Sequence, residues 1–259
     1  MNPLVEAIAN CVVPSATPCV NISGGIDSTI ILHHLREKTD EPIDTYTLGF
    51  EGRSEFTDAR KVAEHYGTRH HEVVVSNMLP RFRELLKFFP QPRFNLWPYW
   101  LAEAQAQAGR RNCYIGEGGD EHFGGYWYKP RKPYLEHWAG FFTYVLPTYQ
   151  AVYQHFGITL HVPLHPQTLD FTVTRPFYDV TQEKAFLRAA YRGVLPDFVL
   201  QKRKQNGRFD YWVMWHKEIK PYFPDANPHG EDDIRELLNA WVTREWSRQH
   251  HGAMKGEAT

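Results

Sequence analysis

Two short stretches combine glycines with carboxylates: Ser23-Gly24-Gly25-Ile26-Asp27-Ser28 and Gly116-Glu117-Gly118-Gly119-Asp120-Glu121. In the first, the glycines allow a tight turn and a close approach of phosphate oxygens that a Cβ would block. Ser23 and Ser28 add hydroxyl donors, and a helix starting there offers free N–H groups and the positive end of its dipole. Asp27 would repel a bare phosphate, but it fits if Mg2+ lies between carboxylate and phosphate oxygens. Alone, this SGG reads as a turn with Asp27 as N-cap. It is not the GxxxxGK[ST] loop, so ordinary γ-phosphate chemistry is not indicated. The second stretch decides between these readings. Two glycine-rich turns, each carrying an aspartate, can hold one metal from two sides, which makes Asp27 and Asp120 candidate metal ligands.

Both turns follow strand signals. TPCVNI (residues 17–22) reads as a short strand, and Ile31, Leu32 and Leu35 fall on one face of a following helix. IDTYTLGF (43–50) reads as a second strand. A helix from about Thr57 follows, with Ala59, Val62, Ala63 and Tyr66 on one face and Gly67 as its stop. EVVV (72–75) gives a third strand. Residues 79–89 and 99–109 read as helices flanking the proline-punctuated, aromatic loop 90–98, and NCYI (112–115) is a strand ending in the second glycine turn. Strands alternating with helices imply an α/β fold with a parallel sheet and right-handed crossovers. Ligands then collect at the carboxyl ends of the strands. Beyond about Lys129 strand signals fade and aromatic-rich helices take over, clearest at 184–191 and 232–248. The pattern divides into an α/β core over residues 1–130 and a mainly helical part over 131–259.

The 259 residues suffice for a sizeable core. With 29 Lys plus Arg against 30 Asp plus Glu, the chain has no overall attraction to nucleic acid or an anionic membrane. Any anion binding is therefore local. Three unpatterned cysteines, Cys11, Cys19 and Cys113, give neither a disulfide framework nor a CxxC zinc signal, and suggest a reducing, cytoplasmic setting. No apolar run approaches the roughly 20 residues of a membrane span, and the first residues lack the pattern of a signal peptide. The pairs His33-His34, His70-His71 and His250-His251 lack HExxH spacing and read as surface or packing residues.

At this point a resemblance becomes specific. SGGIDS matches the SGGxDS pyrophosphate loop of the N-type ATP pyrophosphatases, and GEGGDEHFGGY resembles the GEGxDExFxGY segment of the asparagine synthetase branch. TLGF with Glu55, the helix to Gly67, and His71-Glu72 are similar to that branch as well. So are EKAFLR (183–188), which resembles EKxxLR, and LPDFVLQKRK (195–204), which resembles LPxxVxxRxK with Lys202 and Lys204 at its basic positions. The resemblance runs from about Val20 to about Trp212.

What it implies is an adenine-nucleotide α-hydrolase-like, Rossmann-like fold, with residues 1–130 as an ATP pyrophosphatase core and residues 131–259 completing its site. The implied activity is an ATP- and Mg2+-dependent ligase that activates a carboxylate as an acyl-adenylate, releases pyrophosphate, and forms an amide with ammonia or an amine. Carried over, Ser23, Gly24, Gly25, Asp27 and Ser28 hold pyrophosphate, Asp27 and Asp120 ligate Mg2+, and Leu48, Gly49 and Gly116 flank adenine. Lys204 neutralises developing negative charge. Glu117 either accepts a proton from the amine or orients Asp120 or Lys204, and the two roles stand level.

The resemblance has gaps. The familiar enzymes begin with a glutaminase domain, and only about 20 residues precede the first glycine turn here. The implied ammonia source is free ammonia, a separate glutaminase or carrier partner, or a substrate amine. The nearest match to the family's ExRxPFLD-like segment is TLHVPLHP at residues 159–166, where Pro163 survives but the glutamate, arginine and aspartate do not. Aspartate is thus only the default acid, and Arg93 in the aromatic loop either grips a carboxylate or packs the loop. Other N-type reactions, such as RNA base thiolation or nucleobase modification, and a non-catalytic nucleotide-binding subunit remain as alternatives. The first two commonly bring cysteine pairs, and the third has less need of Asp27, Asp120 and Lys204 together.

Overall fold

A computed structural model of the chain describes residues 2–50, 53–92, 96–125, 134–179, 181–203 and 211–251. In chain order the elements are α1 (Pro3–Cys11), β1 (Pro18–Asn21), α2 (Ile26–Lys38), β2 (Asp44–Phe50), β3 (Arg53–Ser54), α3 (Phe56–His65), β4 (Arg69–Val74), α4 (Met78–Leu85), α5 (Pro98–Gln107), β5 (Asn112–Tyr114) and α6 (Gly119–Phe123). They continue as α7 (Tyr134–Gly140), α8 (Leu146–His155), β6 (Thr159–His161), α9 (Phe171–Thr174), α10 (Ala185–Ala190), α11 (Asp197–Gln201), α12 (Tyr211–Met214) and α13 (Glu231–His251).

Strand β1 is central. It runs parallel to β2 on one side (Cys19 opposite Asp44) and to β5 on the other (Cys19 opposite Cys113). β4 extends the sheet beyond β2, and β6 extends it beyond β5, both in parallel. Among the described residues, only the two-residue β3 pairs antiparallel, at the end of β2. Pro18 is tolerated because it opens the strand. Cys19 and Val20 are both fully buried, as expected of a strand covered on both faces. Their side chains point opposite ways. Cys19 packs with α4, α5, α8 and α13 residues such as Leu79, Trp100, Tyr153 and Trp241. Val20 packs with α1, α2 and α3 residues such as Ile8, Ile31 and Val62.

The connections set the site. From β1 the chain crosses through α2 to β2 on one side, then returns past β4, α4 and α5 to β5 on the other side of β1. The order therefore reverses between β1 and β5, and a crevice opens at the carboxyl ends of strands at such a switch point. Both glycine turns leave the sheet there.

The predicted strands and helices are present within about three residues of their expected ends, except that α4 ends at Leu85 and a 3-10 turn over Leu86–Phe88 continues the helix expected to 89; the parallel sheet flanked by helices stands as read. The structure adds several elements, among them the short β3 and α6. α1 caps one face, burying Leu4, Val5 and Ile8. β6 lies in the part read as helical and joins the sheet from there, with His161 stacked on Tyr114 at 4.3 Å between ring centroids. None of the helices among the described residues is long and apolar enough to cross a membrane.

Candidate active site

The turn after β1 is shaped by contacts that exclude side chains. Gly24 has φ +69°, and a Cβ there would meet Asp58 Cβ at 2.6 Å. Gly25 is the N-cap of α2 and offers no side-chain cap. Within the turn, Gly25 N donates to Ser23 Oγ and Ser23 N to Ser28 Oγ, both at a long 3.3 Å.

The second turn lies directly on the first. A Cβ on Gly116 would come within 2.8 Å of Ser28 N, and one on Gly119 within 2.5 Å of Asp27 Oδ1. Gly118 has φ +99°, and its Cβ would sit 2.4 Å from the Leu164 carbonyl oxygen. The glycines of GEGGD are therefore there to let one strand end press on another, which brings Asp27 and Asp120 together.

The group that joins them is one the sequence reading assigned no role. Lys184 is 3% exposed, and its ammonium pairs with Asp27 Oδ2 and, at 2.6 Å, with Asp120 Oδ1. It reaches the site from a turn in which Glu183 (φ 48°) and Lys184 (φ 62°) are both left-handed, an uncommon conformation for residues with a Cβ. Two carboxylates from two strand ends thus share one cationic centre. Asp27 Oδ1 is buried with no hydrogen-bond partner among the described residues. Hard carboxylate oxygens, one of them unsatisfied, around a point already held by a cation are a donor set that fits Mg2+.

A cavity of about 470 Å³ opens beside this centre. Ser23, Gly25, Asp27, Ser28, Leu48, Gly116, Glu117 and Asp120 line it, so most of the expected site residues share one cavity. Gly24 and Gly49 do not line it. Gly24 forms the back of the turn against Asp58, and Gly49 is paired with Ser54 and Val74 in the sheet. Lys204 and Arg93 lie outside the described residues. Segment 159–166 contributes no lining residue. It instead supports the acidic turn from behind, through the Leu164 carbonyl against Gly118.

Aromatic side chains line the cavity as well: Tyr46 and Phe50, on the same face of β2 as Leu48, and Trp97, edge-on to Phe50 at 5.2 Å. At the floor, Asn21 Nδ2 donates to Tyr153 Oη at 2.7 Å and Asn21 Oδ1 accepts from Gln105 Nε2 at 2.6 Å. Glu117 accepts a 2.9 Å hydrogen bond from Tyr149 Oη. Burial, and secondly the Glu117 charge, hold the Tyr149 hydroxyl far above the usual phenol range, so it remains a donor. Tyr149 is a second site residue that sequence reasoning missed.

A smaller recess of about 80 Å³ shares Ser23, Gly25 and Asp27 with the cavity and is lined on its far side by Lys184, Arg188, Lys202 and Arg203. Lys202 Nζ donates to the Ser23 carbonyl at 3.0 Å and pairs with Asp58 at 3.0 Å. The expected basic position of LPDFVLQKRK therefore fastens the glycine turn to α3. Asp27, Glu55 and Glu183 line the same recess, where Lys184 pairs with Asp27, Arg188 with Glu183 and Lys202 with Glu55, so bases and acids alternate around it.

Comparison with known proteins bears on this geometry. The family model described as asparagine synthase matches residues 2–148, more than half of the chain. The bovine (Bos taurus) glutamine-hydrolysing asparagine synthetase is 30% identical over 130 residues, 43% of this chain and 22% of that protein. The carboxyethyl-arginine beta-lactam-synthase of Streptomyces clavuligerus is 39% identical over 72 residues, 28% of this chain and 14% of that protein. Asparagine synthetase 3 of Arabidopsis thaliana is 26% identical over 225 residues, 79% of this chain and 37% of that protein. The alignments thus span well under half the length of these relatives.

Proposed function

Because the chain belongs to the asparagine synthase family, we propose that it is an ATP-dependent amide ligase of the AMP- and pyrophosphate-forming type. The observation that supports this most is the convergence of Asp27 and Asp120, from two separate strand ends, on one cationic centre at the wall of the cavity. A kinase-like γ-phosphate site has no need of two such glycine turns.

In this reading the α2 N-terminus, Ser23, Gly24, Gly25 and Ser28 cradle the β- and γ-phosphates. Lys184, Arg188 and Lys202 surround the recess into which pyrophosphate leaves. The adenine lies along Leu48 and Gly116. Asp27 and Asp120 would hold Mg2+, which supplies charge neutralisation at the phosphate oxygens. A carboxylate oxygen of the acid attacks the α-phosphorus, the bond from that phosphorus to the leaving bridging oxygen breaks, and pyrophosphate departs. The amine nitrogen then attacks the acyl carbon, the acyl–oxygen bond to AMP breaks, and the nitrogen's proton passes to Glu117, held in place by Tyr149. Lys204, from its sequence position, is assigned to the oxyanion of that second step. The aromatic side chains of Phe50 and Trp97 favour an acid with an apolar or planar body over aspartate. The amine is ammonia, supplied free or by a separate glutaminase or carrier partner, or an amine of the substrate.

ATP–pyrophosphate exchange across a panel of carboxylates tests the reading. Label should enter ATP only with the cognate acid. Asp27→Asn and Asp120→Asn should each lower that exchange about a hundredfold or more. Carboxylate-dependent release of ADP and phosphate would refute it, and nucleotide binding without exchange for any acid would favour a binding subunit.

A further inference from the structure

Helix α2 carries Asp27 in its first turn and a second group of ligand-type side chains at its other end. His33 Nε2 lies 3.4 Å, and His34 Nδ1 3.2 Å, from the same oxygen, Oε2 of Glu37. One donor atom from each of the three residues falls within 4.8 Å of the others. Neighbouring residues on a helix point about 100° apart, yet here the two rings turn edge-on with centroids 4.9 Å apart and present nitrogens to one point.

The remaining ring nitrogens are both taken. His33 Nδ1 faces Tyr66 Oη at 3.4 Å, and His34 Nε2 faces Tyr191 Oη at 2.8 Å. With each tyrosine oxygen accepting an imidazole N–H, the lone pairs of His33 Nε2 and His34 Nδ1 both point toward Glu37. Hydrogen bonding of the distal nitrogen is what fixes tautomer and ring orientation in metal-binding histidines. His33 Nε2 is buried with no hydrogen-bond partner among the described residues. The imidazoles are 13% and 2% exposed while Glu37 is 58% exposed, so the cluster is closed on the protein side and open to solvent on the carboxylate side.

From this geometry we infer that His33, His34 and Glu37 form a binding site for a divalent transition metal ion of the zinc class. Two imidazoles and one carboxylate suit Zn2+, Co2+ or Ni2+ and not Mg2+. Three protein ligands leave a fourth position for water on the open side. Ten residues of helix separate Glu37 from Asp27, about 15 Å of rise, so the site is distinct from the cavity in place and in metal preference. Tyr66 follows α3 and Tyr191 follows α10. A metal here would brace α2, which bears Asp27, against α10, which follows Lys184.

The test is a Co2+ titration of the untagged full-length chain in excess Mg2+, read by visible d–d absorption and calorimetry. One equivalent should bind with the spectrum of a nitrogen-ligated low-coordinate ion. The His33→Gln/Glu37→Gln double variant should lose it, and Asp27→Asn/Asp120→Asn should keep it. Tyr66→Phe, which leaves all three ligands intact, should weaken binding ten- to a hundredfold. Circular dichroism controls for folding, and Glu37→Gln alone changes only an exposed side chain. No Co2+ binding by the wild-type chain would mean that the tyrosines donate and Glu37 receives two imidazole N–H groups, and the inference falls. It falls equally if the double variant binds as the wild type does.

Discussion

Glu117 and Tyr149 form the pair whose chemistry can be dissected most cleanly. The 2.9 Å bond from Tyr149 Oη orients the Glu117 carboxylate over the cavity, and the proposal needs that carboxylate only when the amine loses its proton. Tyr149→Phe should therefore lower amide formation about ten- to a hundredfold while ATP–pyrophosphate exchange stays within about twofold of wild type. Equal loss in both assays would assign the pair to substrate binding. A second residue-scale prediction concerns His122 in the same acidic segment. It is fully buried, bonded to Thr174 Oγ1 at 2.7 Å, and burial lowers its pKa to about 4. The unfolded chain takes up this proton near the ordinary histidine value, about 6.5, and the native protein does not. The unfolded state thus binds more protons between these values, and stability falls as pH drops from about 6.5 toward 4, by up to the order of 3 kcal/mol. Burial lowers the pKa of His33, His34, His70, His161 and His165 as well, so they act in the same direction. Urea unfolding of His122→Gln should show a shallower slope than wild type across that window, and an unchanged slope would contradict the assignment.

The elements that matter most are the two turns, and their packing explains what the sequence could and could not tell. SGGIDS and GEGGDE were legible because glycine clusters after apolar runs have a local physical cause. β1 and β2 were legible because they are buried on both faces. β6 was not, because it is a three-residue strand at the sheet edge whose His161 finds its place only by stacking on Tyr114. Lys184 was not, because its reach depends on two successive left-handed residues and on partners 157 residues away in the case of Asp27. Tyr149, 32 residues from Glu117, sits in an aromatic-rich helix where nothing local distinguishes it. The glycines themselves are testable. Gly118→Ala imposes a left-handed alanine and a Cβ 2.4 Å from the Leu164 carbonyl. It should cost at least about 2 kcal/mol and reduce exchange sharply by displacing Asp120. Gly157→Ala has φ +65° but open space around the new methyl. It should cost about 1–2 kcal/mol and leave exchange intact. Similar activity loss in both would detach the close approach at Gly118 from function.

For the molecule as a whole, the strand order reverses at one place, between β1 and β5, and the two glycine turns, the Asp27–Lys184–Asp120 centre, the aromatic side chains and the smaller recess all gather there. In the proposed reading, the turns and the recess serve the phosphates, and the Glu117–Tyr149 pair and the aromatic side chains serve the acid and the amine. That reading is tested most directly by following oxygen: once the cognate acid is known from exchange, its carboxylate is labelled with 18O and the products are examined by 31P NMR and mass spectrometry. The account predicts one 18O atom in AMP and none in pyrophosphate, because the carboxylate oxygen that attacked the α-phosphorus leaves with it. Label in inorganic phosphate, with ADP as the nucleotide product, would contradict it.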